Sequence, residues 1–199
     1  MLRFDGFGPQ SQFKQAAARL SPVAKVPVLV QGDLVVWDTL AIAEYAAEYA
    51  AEHFPELALW PRDAAARARA RSLCAEMHSG FAALRSACPM NIEAALPEVG
   101  ARVLAEQPAV AADLARLVAM WGDALAASGG PFLFGGFSIP DAYFAPVVAR
   151  MRTYALPLPA ALAAYAERVW ASPGVAAWVQ GALAEQDYLD FEEPYRQHR

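Results

Sequence analysis

Apolar positions along this chain change period once. Between Val28 and Trp37 they form two short runs of β-branched and bulky residues, Val28-Leu29-Val30 and Leu34-Val35-Val36-Trp37, split by Gln31-Gly32-Asp33. Runs of that length around a Gly-Asp turn predict a β-hairpin. From Thr39 the spacing turns helical. Leu40, Ile42, Ala43, Tyr45, Ala46 and Tyr49 make an apolar stripe, and Glu44 and Glu48 lie on another face. Phe54-Pro55 stops that helix. Ahead of the hairpin, Ser11 caps a short helix to about residue 20, ended by Ser21-Pro22. Residues 2–4 read as a short strand closed by Gly6, Gly8 and Pro9.

Residues 54–63, FPELALWPRD, read as a linker with two prolines. Beyond them the pattern is almost wholly helical. One helix is expected over about 62–87, ended by Cys88-Pro89, and a second over about 96–127, with Pro108 a candidate break. Helices at about 139–154, 160–171 and 173–185 and a polar tail to Arg199 complete the chain, with SGGPFLFGG at 128–136 a glycine-rich loop. The organisation expected is a small α/β piece at 1–55, then an all-α domain at 64–199.

Composition supports a folded protein, with 57% hydrophobic and 19% charged residues. Alanine, recurring among Leu, Val and Arg, favours helix. A length of 199 residues suffices for one large core or two small ones. A net charge of −5 argues against a nucleic-acid footprint across the whole surface. Arg62, Arg67, Arg69 and Arg71 accordingly read as a solvated or subunit-facing stripe. The two cysteines, Cys74 and Cys88, lack CxxC spacing, which fits a reducing cytosol and small core residues. No metal-ligand cluster stands out. The start, MLRFDGFGPQ, has no basic region followed by an apolar core, so no signal peptide is expected. The longest charge-free stretch, 124–140, holds two prolines and four glycines, so no membrane span is expected.

Candidate chemistry gathers where the hairpin feeds the helix. Backbone N–H groups and the helix dipole favour an anion there. The Thr39 hydroxyl and N–H can receive a carboxylate, and Asp38 can accept from a nearby ammonium. The pair therefore suits an α-amino acid head group; plain helix capping also explains Asp-Thr. Val26-Pro27 precedes the first strand. A cis bond there would turn the Val26 N–H and C=O outward, free to pair with an extended peptide.

SPVAKVPVLVQGDLVVWDTLAIAEYAAE, residues 21–48, resembles the glutathione-binding half of cytosolic glutathione S-transferases of bacterial type. The family pattern is met at Lys25, Val26, Pro27, Asp38, Thr39, Ala41, Ile42 and Tyr45. FSIPDAYFAPVV, 137–148, resembles the capping box of that family's helical domain, here Ser138 and Asp141. The likeness runs in order and spacing over about residues 11–185. It implies an α+β protein with a thioredoxin-like N-terminal domain, shortened at its start, followed by an all-α C-terminal domain. Glutathione, as co-substrate, would lie against Val26 and Pro27 by its cysteinyl backbone. Its γ-glutamyl end would meet Asp38 and Thr39, and Lys25 would lie near its glycyl carboxylate. In the family the first helix of the second domain lines the pocket for the other substrate. His78, Phe81 and Arg85 there are spaced i, i+3 and i+7, one helix face. They read equally as an anion or carbonyl site with an apolar wall, or as a core phenylalanine beside two polar residues with ordinary partners.

The function implied is transfer of glutathione to a small hydrophobic electrophile, or its use in isomerisation or reduction, by a cytoplasmic homodimer. The alternative is a non-catalytic glutathione-binding or protein-interaction scaffold of the same fold. Two departures matter. The family carries a strand and helix with a sulfur-activating Tyr, Ser or Cys ahead of the matched segment, whereas about ten residues precede Ser11 here. Neither Ser11 nor Ser21 matches that position, so the catalytic residue stays unassigned. The chain is expected either to begin downstream of that segment or to be a reduced domain resting on a partner subunit. Ala24 also stands where many members have glycine, which is costly if the turn needs φ > 0.

Overall fold

The structure is a computed structural model and describes residues 4–6, 8–186, 188–190 and 193–198. The chain forms two compact units, Met1–Leu59 and Trp60–Arg199.

In the first unit, helix α1 (Gln12–Leu20) starts at Ser11, whose Oγ accepts from the Lys14 N–H at 3.1 Å. Asp5 reinforces that start from outside the helix. Its carboxylate accepts from the Gln12 and Phe13 N–H groups at 2.8 and 3.1 Å and from Ser11 Oγ at 2.6 Å. The Ser11 hydroxyl and these N–H groups hold the Asp5 carboxyl below its usual range. A turn with Ala24 at φ 49° leads to a cis Val26–Pro27 bond. Strands β1 (Val28–Gln31) and β2 (Leu34–Trp37) pair antiparallel, from Val28 opposite Trp37 to Gln31 opposite Leu34. Gly32, at φ 59°, supplies the left-handed position of the tight turn. Helix α2 (Thr39–His53) follows at once and ends where the Phe54 N–H reaches Ala50 O at 2.7 Å. Hairpin and helix thus form where the sequence places them. Of the strand expected at 2–4, residues 2 and 3 lie outside the described residues, and Phe4 is in no strand.

The second unit is helical: α3 (Ala64–Ser79), α4 (Ala82–Ala87), α5 (Pro97–Glu106), α6 (Pro108–Ser128), α7 (Ile139–Thr153), α8 (Ala160–Ala171) and α9 (Pro173–Glu185). The single helix expected over 62–87 is two. Gly80 ends α3 by giving its N–H to Glu76 O at 2.8 Å, and Phe81 takes the left-handed φ 57°. Asp113 of α6 then caps α4 at the Leu84 N–H, 2.9 Å away. The helix expected over 96–127 divides at Pro108, which has no N–H and opens α6 instead. Leu84, Leu117, Trp121, Phe144 and Tyr165 are fully buried at the centre of the core. Trp121 meets Phe144 and Tyr165 edge-on at 5.5 and 5.2 Å. Cys74 and Cys88 are buried and not disulfide-bonded.

Candidate functional site

The hairpin register decides which residues meet. Because Val28 lies opposite Trp37, the segments just beyond the two strands, Lys25-Val26-Pro27 and Asp38-Thr39, sit at the same end of the hairpin. Val26 is 64% exposed, and its backbone makes no hydrogen bond with any described residue. Its N–H and C=O are thus open to an extended chain. Across from it α2 begins. Asp38 is the N-cap at φ 74°, its carboxylate accepting from the Leu40 N–H at 2.9 Å. Aspartate tolerates positive φ better than most residues, which fits it to this place. Asp38 is exposed, Thr39 half-buried and Lys25 exposed. One end of the hairpin therefore offers a peptide-like edge, a helix N-terminus, a carboxylate and a free-standing amine. These groups match in kind the carboxylate, ammonium and backbone of a zwitterionic, peptide-like molecule. Tyr45 fixes the helix to the hairpin by donating to Gln31 Oε1 at 2.7 Å.

The two serines that flank α1 both have local partners. Ser11 Oγ donates to Asp5 and accepts from Lys14, and Ser21 Oγ accepts from the Val23 N–H at 3.3 Å. Among the described residues no group of three or more His, Cys, Asp or Glu side chains is placed to hold a metal ion. No helix of the described residues is long and apolar enough to cross a membrane.

His78, Phe81 and Arg85 do not share a helix face. The break at Gly80 puts His78 on α3 and Arg85 on α4, and Phe81 turns into the core at 7% exposure. His78 and Arg85 are both exposed and stay together, since Arg85 Nη1 donates to His78 O at 3.1 Å. Ser138 and Asp141 form the capping box at the start of α7, the Ser138 N–H and Oγ donating to Asp141 Oδ2 at 2.9 and 3.1 Å. Asp141 does more than the motif implies: its Oδ1 accepts from the Leu133 N–H at 3.1 Å and Tyr165 Oη at 3.2 Å. Burial nevertheless pushes the Asp141 carboxyl above its usual range, against these donors. Asp5 and Asp113, caps reached from outside their helices, carried no local sequence signal.

Comparison with known proteins agrees with both halves. The family model "Glutathione S-transferase, C-terminal domain" matches residues 64–181, and "Glutathione S-transferase, N-terminal domain" matches 6–48. The chain belongs to the glutathione S-transferase family. Its N-terminal unit is a thioredoxin-like domain and its C-terminal unit the all-helical domain of that family. Among solved structures, a glutathione transferase homolog from Burkholderia gl BGR1 with bound glutathione is similar at 25% identity and a TM-score of 0.58. The match covers 82% of this chain and 76% of that one. The theta class glutathione S-transferase from Xanthomonas axonopodis pv. citri, with glutathione bound, matches at 26% identity and a TM-score of 0.57. There 87% of this chain and 81% of the other are covered. A glutathione S-transferase from Xylella fastidiosa matches at 25% identity and a TM-score of 0.58, covering 88% and 84%. No curated protein matches the sequence.

Proposed function

We propose that this glutathione S-transferase family protein binds glutathione at the Val26–Asp38 end of the hairpin and uses it on a small hydrophobic electrophile. The observation that carries the reading is the exposed, unbonded backbone of Val26 beside the N-terminus of α2. The cysteinyl backbone pairs with Val26 next to Pro27. The γ-glutamyl carboxylate lies at Thr39 and the start of α2, its ammonium at Asp38, and the glycyl carboxylate near Lys25. Two of the similar structures hold glutathione, which supports the same ligand here. In the transfer step the glutathione thiol loses its proton, its sulfur forms a bond to the electrophilic carbon, and the leaving group departs with its electron pair. Exposed His78 and Arg85 are the contacts proposed for the electrophile's polar end; buried Phe81 is not. Within the same reading the protein is cytoplasmic and dimeric.

A second reading, glutathione binding without turnover, is favoured by one observation: of the hydroxyls just ahead of the site in sequence, Ser11 caps α1 and Ser21 accepts from the Val23 N–H in the following turn.

Calorimetric titration of glutathione separates the possibilities. The unaltered chain is expected to bind. Asp38→Asn keeps an acceptor for the Leu40 N–H but removes the charge, and is expected to weaken binding by about 1–3 kcal/mol. Unchanged affinity in Asp38→Asn and Thr39→Ala would sink the assignment of the site. Turnover of a dinitrophenyl halide by the same preparation decides between transferase and binder.

A further inference from the structure

Both edges of the β1–β2 hairpin are open. Its two-residue turn makes Gln31 and Leu34 a hydrogen-bonded pair, and the pairs alternate from there. Leu29 and Val36 therefore also point their backbone groups inward. Val28 and Val30 on β1, and Val35 and Trp37 on β2, point theirs outward. None of these outward groups bonds to a described residue. A row of unpaired N–H and C=O groups along a strand is a template for another extended chain. The usual guards are missing on β1: Val28-Leu29-Val30-Gln31 holds no charge, no proline and no bulge. Val28, Val30, Val35 and Trp37 also share one face of the hairpin, on which Val30 is 51% exposed.

The charges at the strand ends say which chain fits. Lys25 stands before β1 and Asp33 in the turn after it, both exposed and without an ion-pair partner among the described residues. Laid antiparallel on a second copy of itself, β1 brings the basic end of each copy to the acidic end of the other. Laid parallel, it would set like charges together. Strand β2 lies between Asp33 and Asp38, so its pairing with itself sets acid against acid. We propose that two copies of this chain join along β1, antiparallel about a two-fold axis at Leu29, into one four-stranded sheet. Val28 of each copy then lies opposite Val30 of the other, and each such pair exchanges both its N–H···O bonds. The valines of the two copies meet on one face, so exposed Val30 gains an apolar neighbour. A two-stranded sheet is marginal by itself, and a wider one with an apolar face is not. The ladder stops short of Val26, and the inference does not depend on glutathione binding.

Sedimentation velocity of the full chain, without glutathione, reads the assembly. A dimer is expected at micromolar concentration. Val30→Pro removes an outward N–H from each copy and no bond of the hairpin, because that group faces away from β2. It is expected to raise the dissociation constant of the dimer at least about tenfold. Val30→Thr keeps the N–H and is expected to dimerise as before. Asp33→Lys is expected to weaken the dimer, as is added salt in the unaltered chain. Crosslinking tests the register. Leu29 sits on the axis, its Cα about 4.5 Å from that of Leu29 in the second copy. In Leu29→Cys, diamide is expected to link the copies rapidly, taking up the two hydrogens as the thiols form a disulfide. The Val30→Cys side chain faces Val28 of the second copy and is expected to link slowly. Cys74 and Cys88 are buried, and the unaltered chain gives their background. Circular dichroism checks each variant; where Val30→Pro disturbs the fold, the crosslink decides. A monomer throughout overturns the pairing. So does a dimer that a folded Val30→Pro leaves as tight, or one in which Leu29→Cys links no faster than Val30→Cys.

Discussion

Ala24 holds a conformation that suits glycine. Its φ of 49° is fixed from two sides, by its N–H on Ser21 O at 3.1 Å and its C=O accepting from Lys14 Nζ at 3.3 Å. A left-handed position costs a residue with a Cβ about 1–2 kcal/mol. Ala24→Gly is therefore expected to stabilise the first unit by about 1 kcal/mol, the gain being reduced by glycine's greater freedom when unfolded. A urea midpoint that stays put or falls would contradict this. The strain at Ala24 was legible, because the resemblance puts glycine at that place. The strain at Phe81, φ 57°, was not. Apolar spacing runs through Phe81 without a break, and Gly80 beside it is the lone local hint.

Short elements owe their existence to distant partners. Helix α4 has six residues, too few to persist alone, and it stands on the Asp113 cap and the Arg85 tie to His78 O. Periodicity cannot see a cap supplied from another helix, which explains why one long helix was expected where two are found. The start of α7 shows the opposite balance. Ser-x-x-Asp was readable as a capping box because both members are local. Leu133 and Tyr165, the other donors to Asp141, became visible only once the loop and α8 were in place. Asp141→Ala strands four buried donors and is expected to cost about 3 kcal/mol or more in chemical unfolding; a loss below about 1 kcal/mol would show that water replaces them. The pH dependence of the unaltered side chain runs the other way from that of a surface carboxylate. Its folded pKa is raised, so its titration favours the fold below its unfolded value and that contribution is lost as pH rises through the folded one. Asp141→Asn, which does not titrate, is expected to flatten that part of the stability-against-pH curve.

The two units differ in what they bury. Among described residues before Trp60, the buried side chains are Ser11, Ala17, Ser21 and Ala50, whereas the second unit encloses Trp121, Phe144, Tyr154 and Tyr165. So small a buried set makes the first unit marginal. Urea is expected to unfold the chain in two steps, the first unit earlier. If glutathione binds there, a hundredfold excess over its Kd raises the first step by about 2.7 kcal/mol and leaves the second alone. A single transition, or a shift of both steps, would contradict this division. The two-part layout was legible from the change of hydrophobic period and the prolines of the linker. The bond from Tyr195 to Ala87 O was not, since residues 186–199 have no apolar rhythm in sequence. Trp37 ends β2 at 40% exposure, directly before Asp38, and is the one tryptophan in residues 1–59. Fully buried Trp121 emits from an apolar surrounding, while Trp37 emits from a wet one. Trp178 is nearly as exposed, at 38%, so a Trp178→Phe chain is born with its own optical label at the hairpin end, and the red edge of its fluorescence reads occupancy there without any dye.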